Sequence, residues 1–190
     1  MGRIEEALER ARDTKALIIG EGAVGKTGEM FRQLFGNSTA IVVADLNTYK
    51  VAGAEAYESL KAAGIPTVDP FIFEDDDLYA EWSFLIRLEN HLKACNAVAV
   101  AVGSGVINDL AKLASEHLGR RYIIVGTAAS MDGYTAYGAS ISFEGNKQTF
   151  DCKAPMGVII DPVIAAGAPS EMAASGYADL LAKVPAAADW

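Results

Sequence analysis

Apolar residues along this chain fall into short unbroken runs, separated by stretches in which they recur three and four positions apart. Residues 15–20 (KALIIG), 40–44 (AIVVA), 97–102, 121–125 and 156–160 are such runs. Apolar runs of this length without alternation read as strands covered on both faces. Residues 66–72 form a further strand candidate, third in chain order. Residues 24–35, residues 49–63 up to Gly64, the segment through Trp82, Leu85, Leu88 and Leu92, and residues 106–118 have helical spacing. Strands alternating with helices predict an α/β fold, a Rossmann-like parallel sheet with right-handed crossovers and flanking helices. The pattern changes after Gly126. Residues 127–137 are small and polar, and residues 140–153 read as a β-hairpin turning at Glu144-Gly145-Asn146-Lys147. Ala168-Pro169-Ser170 then opens a helical stretch to about Lys183. The expected organisation is a sheet domain over residues 1–165, with the start of a helical domain over residues 166–190.

Composition narrows the function classes. The chain has 190 residues, 51% of them hydrophobic, which is enough for a packed core and excludes a disordered chain. Sixteen Lys and Arg against 25 Asp and Glu give a net charge of −9, with no basic cluster to neutralise nucleic-acid phosphates. No apolar stretch approaches the length of a membrane span, and the acidic N-terminus has no signal-peptide core. Cys95 and Cys152 stand far apart without metal-type spacing, so a reducing cytoplasm is the default setting.

Two glycine loops sit between a strand and a helix. The first, Gly20 to Thr27 (GEGAVGKT), fits both the phosphate loop of nucleotide hydrolases and the G-x-G-x-x-G dinucleotide pattern. Asp45, twenty residues beyond Gly25, stands where a carboxylate accepts from a ribose 2′-OH in the second pattern. A plain glycine turn satisfies the same residues. In the second loop, Gly103-Ser104-Gly105-Val106-Ile107-Asn108-Asp109, small residues admit a pyrophosphate to the backbone, and the following helix offers free N–H groups. Asp109 equally suits a helix N-terminus on electrostatic grounds alone. Residues 127–135 gather hydroxyls and a carboxylate beyond a strand's carboxyl end, where open α/β sheets bind ligands, or form a local Asx/Ser turn.

Four stretches in this order resemble the family uniting iron-containing alcohol dehydrogenases, glycerol dehydrogenases and dehydroquinate synthases, and within it the sn-glycerol-1-phosphate dehydrogenase branch. They are residues 102–112 (VGSGVINDLAK), 126–140 (GTAASMDGYTAYGAS), 154–162 (APMGVIIDP) and 168–183 (APSEMAASGYADLLAK). The resemblance implies that Gly105, Val106, Ile107, Asn108 and Asp109 hold the pyrophosphate of NAD or NADP, and that Asp45 faces the adenosine ribose. Thr127, Ala128, Ala129 and Ser130 become further cofactor contacts, Asp132 the carboxylate at substrate or nicotinamide, and Asp179 a ligand of a divalent metal (zinc, iron or nickel). The branch converts dihydroxyacetone phosphate to sn-glycerol 1-phosphate, so a phosphorylated small molecule is the implied substrate and phospholipid biosynthesis the implied setting.

This sequence departs from the branch in three places. Ala136 stands where the branch usually has serine, and Ser104 separates two glycines. The family's two histidine metal ligands come from a helical domain that follows, whereas His91 and His117 lie in predicted helices of the sheet domain and match neither ligand position. The alternatives carried forward are a dehydroquinate synthase-like lyase, a nucleotide hydrolase using Lys26 and Thr27, and a non-catalytic dinucleotide-binding module. Such a module would be a natural truncation or a half that assembles with a separate helical-domain chain; a homo-oligomer is the other partner to expect.

Overall fold

The computed structural model describes residues 2–189. A helix, α1 (Arg3–Arg10), precedes the first strand, β1 (Ala16–Ile19). A single tight turn, Ala23–Lys26, leads into α2 (Thr27–Phe35), followed by β2 (Ala40–Asp45). The stretch expected as one helix over 49–63 begins earlier, at α3 (Leu46–Thr48). It widens through a π-type turn at Tyr49–Gly53 and continues as α4 (Ala54–Ala62), ending before Gly64. Then come β3 (Phe71–Phe73), α5 (Trp82–Cys95), β4 (Val98–Gly103), α6 (Gly105–His117) and β5 (Ile123–Gly126). The hairpin is β6 (Ala139–Phe143) with β7 (Asn146–Phe150). Its two-residue turn places Glu144 and Gly145 at positive φ, so Asn146 and Lys147 already belong to the strand. The chain ends with β8 (Gly157–Ile160), α7 (Pro162–Ala166) and α8 (Ser170–Asp189).

Six strands form one sheet in the order β1-β8-β5-β4-β2-β3, every pair parallel. This is the expected α/β architecture. Alternate residues of each strand feed opposite faces. Ile41 and Val43 join Leu85, Leu88 and Leu92 of α5 and Ile107, Leu110 and Leu113 of α6 in one core. Val42 and Ala44 join Met30 and Phe31 of α2 and Ala56 and Leu60 of α4 in the other. The sheet is therefore buried on both sides, which is why its strands lack polar alternation. β3 is shorter than residues 66–72, because Pro66 and Pro70 donate no N–H to a ladder; Thr67 makes only an isolated bridge to Ala40.

The topology fixes where a ligand can enter. The chain leaves β2 through α4 on one face and leaves β4 through α6 on the other, yet β2 and β4 are neighbours. Their carboxyl ends diverge and open a crevice, the topological switch point at which open α/β sheets bind ligands.

A candidate dinucleotide cleft at the strand ends

A groove of about 840 Å³ occupies this crevice. Asp45, Leu46 and Lys50 line one side, Ser104 and Val106 the floor, and Thr127 and Ala128 the side beyond β5; Ile164, Gly167 and Met172 close it from α7 and α8. A smaller hollow of about 470 Å³ lies under α1 among Ile4, Leu8, Leu17 and Tyr137, away from the strand carboxyl ends.

The floor is the start of α6, and its capping sets it apart from the neighbouring helices. Helices α3, α5 and α7 are each capped by a carboxylate, from Asp45, Glu81 and Asp161 respectively. Helix α6 is different: Ser104 makes no side-chain cap, and the first amide to bond back is Asn108, to the Ser104 carbonyl at 3.0 Å. The N–H groups of Gly105, Val106 and Ile107 thus have no partner among the described residues, at the positive end of a 13-residue helix. A side chain at position 105 would meet Met131 Sδ at 3.3 Å.

Asp45 caps α3 with one oxygen only. Its Oδ1 accepts from the N–H of Asn47 at 2.8 Å and of Thr48 at 2.9 Å. Oδ2 accepts no bond among the described residues.

The sequence-predicted residues do not all reach this groove. Asp45, Val106, Thr127 and Ala128 line it. Ile107 and Asn108 are fully buried, and Asn108 Oδ1 accepts from the Tyr122 hydroxyl at 2.9 Å. Asp109 Oδ2 accepts from the Ser140 N–H at 3.1 Å, beside Lys112. Of residues 107–109, Ile107 alone keeps a free backbone N–H for a ligand, because the Asn108 amide already donates to Ser104. Ala129 is exposed and contacts α8. There Gly176 approaches so closely that a Cβ would stand 2.0 Å from the Ala129 carbonyl oxygen.

Asp132 and Asp179, 47 positions apart in sequence, meet across that contact. The Asp132 N–H donates to Asp179 Oδ2 at 3.0 Å. Lys183 Nζ stands 3.5 Å from an oxygen of each carboxylate. The Asp132 N–H, and behind it Lys183, hold the Asp179 carboxyl below its ordinary range. Asp132 and then Asp179 raise the Lys183 ammonium. Sequence reasoning missed Lys183, although its spacing of four from Asp179 on one helix was a readable signal. Beneath the loop, the buried Tyr134 hydroxyl donates to the Ala128 carbonyl at 2.8 Å, and burial pushes its pKa up to about 12.

Comparison with known proteins agrees with this fold. The family model of iron-containing alcohol dehydrogenases matches residues 18–169. The chain belongs to the iron-containing alcohol dehydrogenase family. Among curated relatives, the glycerol-1-phosphate dehydrogenase [NAD(P)+] of Bacillus subtilis (strain 168) is 35% identical over 156 residues, covering 81% of this chain and 40% of its own length. The enzyme of the same name from Methanothermobacter thermautotrophicus is 33% identical over 178 residues, covering 93% of this chain and 49% of its own. The chain thus spans less than half the length of these relatives. NADH-dependent butanol dehydrogenase A from Thermotoga maritima shares the fold with a TM-score of 0.78 at 19% identity, over 89% of this chain and 48% of that one.

Membership of the iron-containing alcohol dehydrogenase family bears out the resemblance and directs attention away from the first glycine loop. The nucleotide-hydrolase alternative is overturned by the structure as well. Thr27 is fully buried and its hydroxyl donates to the Val24 carbonyl at 2.6 Å, so it cannot ligate magnesium. The Gly22 N–H is taken by the Asp161 carboxylate at 2.7 Å, and β1 lies at the sheet edge. Residues 20–27 form a turn outside the groove.

Proposed function

We propose that this chain is the dinucleotide-binding part of an NAD(P)-dependent oxidoreductase that interconverts dihydroxyacetone phosphate and sn-glycerol 1-phosphate in the cytoplasm. The observation that carries this reading is the uncapped start of α6 in the crevice between β2 and β4, with Asp45 on the adjoining strand end. The amides of Gly105, Val106 and Ile107 would hold the pyrophosphate, with Asn108 and Asp109 continuing the first turn that presents them. Asp45 Oδ2 would accept from the adenosine ribose, favouring NAD over NADP because a carboxylate repels a 2′-phosphate. Thr127, Ala128, Ala129 and Ser130 would wall the nicotinamide end, with Asp132 beyond them towards the substrate. When bound, the nicotinamide supplies hydride transfer; the protein orients it and excludes water. The substrate assignment rests on the names of the curated relatives.

The described residues do not by themselves make a metal centre. No group of three His, Cys, Asp or Glu side chains converges among them. His91 packs on Phe71, and His117 bonds to Glu89. Asp179 already accepts the Asp132 N–H and faces the Lys183 ammonium. As a metal ligand, Asp179 needs donors from outside these residues, consistent with the reading that residues 166–190 open a helical domain after a sheet domain of residues 1–165. A structural neighbour named 2-deoxy-scyllo-inosose synthase has the same fold at 20% identity, so the fold alone does not fix the reaction.

Titration of the chain with NADH, followed by nucleotide fluorescence, tests the proposal. Saturable binding is expected, weakened about tenfold or more by Gly105→Asp, which sets a carboxylate against the free amides. Binding that ignores G105D, in a folded variant, would remove the pyrophosphate from α6.

A further inference from the structure

The chemistry above makes no use of the charged side chains of Asp109 and Lys112. They form an enclosed ion pair on α6, with side chains 19% and 1% exposed and Nζ 3.7 Å from Oδ1. Lys112 Nζ donates to the carbonyl oxygens of Ala136 at 3.1 Å and Gly138 at 2.9 Å. Asp109 Oδ2 accepts the Ser140 N–H. Three anchors within five residues thus tie the end of the 127–138 connection to the helix whose first turn carries the free amides. The connection has no strand pairing between Gly126 and Ala139, so side-chain and helix contacts of this kind hold it. Its near end is held by the Thr127 N–H on the Gly103 carbonyl at 3.1 Å.

A buried ion pair is a poor source of stability, because desolvation offsets the attraction and apolar side chains can fill the same volume. Burial raises the Asp109 carboxyl and lowers the Lys112 ammonium, each partly offset by the other. What apolar side chains could not do is bind two carbonyls and an amide of a passing loop. We propose that Asp109 and Lys112 are positioning residues: together they clamp residues 136–140 to α6 and so fix Asp132 at a set reach from the amides of Gly105, Val106 and Ile107. The consequence for catalysis rests on the dinucleotide reading of the groove; the clamp itself is tested without cofactor.

The test is amide hydrogen exchange on the whole chain carrying Asp109→Asn with Lys112→Met. The new asparagine keeps an acceptor for the Ser140 N–H, and the new methionine fills the space of the lysine stem. The amides of Asp132, Ala136 and Gly138, which donate to Asp179, Gly133 and Cys152, report the loop. They are expected to exchange about tenfold faster, with β2 and β4 amides unchanged. Wild-type rates at these three amides would overturn the clamp, as would equal acceleration in β2 and β4, the mark of a general stabiliser. If the double variant does not fold, Lys112→Met alone is measured in the same way, and wild-type rates at the Ala136 and Gly138 amides would refute the clamp. A parallel NADH titration judges the cofactor reading separately, so the two failures are distinguishable.

Discussion

Asp45→Asn separates two tasks that one side chain performs. Oδ1 caps α3 through the N–H groups of Asn47 and Thr48, and the Thr48 hydroxyl accepts the Asp45 N–H at 3.1 Å in return. Asparagine caps about as well as aspartate, so thermal stability should hold. The loss falls on Oδ2. A hydrogen bond to a charged acceptor is worth about 1.5–3 kcal/mol and to a neutral one about 0.5–1.5, so NADH should bind about 1 kcal/mol more weakly. For NADPH the carboxylate is a repulsive charge. Unit charges about 5 Å apart at an effective dielectric constant near 20 repel by about 3 kcal/mol, reduced by salt to about 1–2 at a half-exposed site. The preference for NADH over NADPH should therefore fall by about 2–3 kcal/mol, or about 30- to 150-fold. The assay is paired titration with both nucleotides, alongside a thermal melt. Asp45→Ala is the control: it should shift the preference and also cost about 1 kcal/mol of stability through the lost cap. An unchanged NADH to NADPH ratio in a D45N variant with an unchanged melt would refute the placement of Asp45 at the ribose.

Three further outcomes are expected. Lys26→Ala, at an exposed position outside the groove, should leave NADH affinity within about twofold, since it removes no ligand contact; a large loss on titration would return the first loop to the site. Gly176→Ala forces a methyl group onto the Ala129 carbonyl and should cost about 1–3 kcal/mol in urea unfolding, together with loss of protection at the Asp132 amide. The third concerns pH. Burial raises the folded-state pKa of Asp109, so just above about pH 4 the folded chain binds more protons than the unfolded one at this site, and stability falls as pH rises through that window. Asp109→Asn should flatten that fall in a series of melts; parallel curves would show that the carboxyl titrates normally.

What can be read in the sequence divides along physical lines. The five apolar runs declare buried strands because a sheet covered on both faces needs no polar alternation. The glycine loop after β4 announces itself because close approach to backbone requires small residues. Helix α1 carries the same kind of signal, with Ile4, Ala7, Leu8 and Ala11 at helical spacing, but its acidic residues hide a pattern only two turns long. Helix α8 runs past Lys183 to Asp189 with Pro185 inside it, beyond the point where local pattern justifies extension. Long-range polar contacts are invisible. The bond from Gly22 to Asp161 spans 139 positions, and nothing near either residue announces it. Asp109 and Lys112 look like an ordinary pair three apart on a helix. Only the tertiary path of residues 136–140 turns them towards a loop and away from the groove at the strand ends. Asp132 and Asp179 stand out separately, and the lysine between them enters only once α8 is folded against residues 129–130.

In the proposed complex a dinucleotide lies across the carboxyl ends of β2 and β4, with its pyrophosphate on the first turn of α6. Backbone amide chemical shifts of the isotopically labelled chain, recorded while NADH is added, test it most directly. The largest changes are expected at Gly105, Val106 and Ile107, with smaller ones at Asp45 and Thr127, and none of note between Gly20 and Thr27. Saturating changes centred on Gly20 to Thr27, or none at α6, would contradict it.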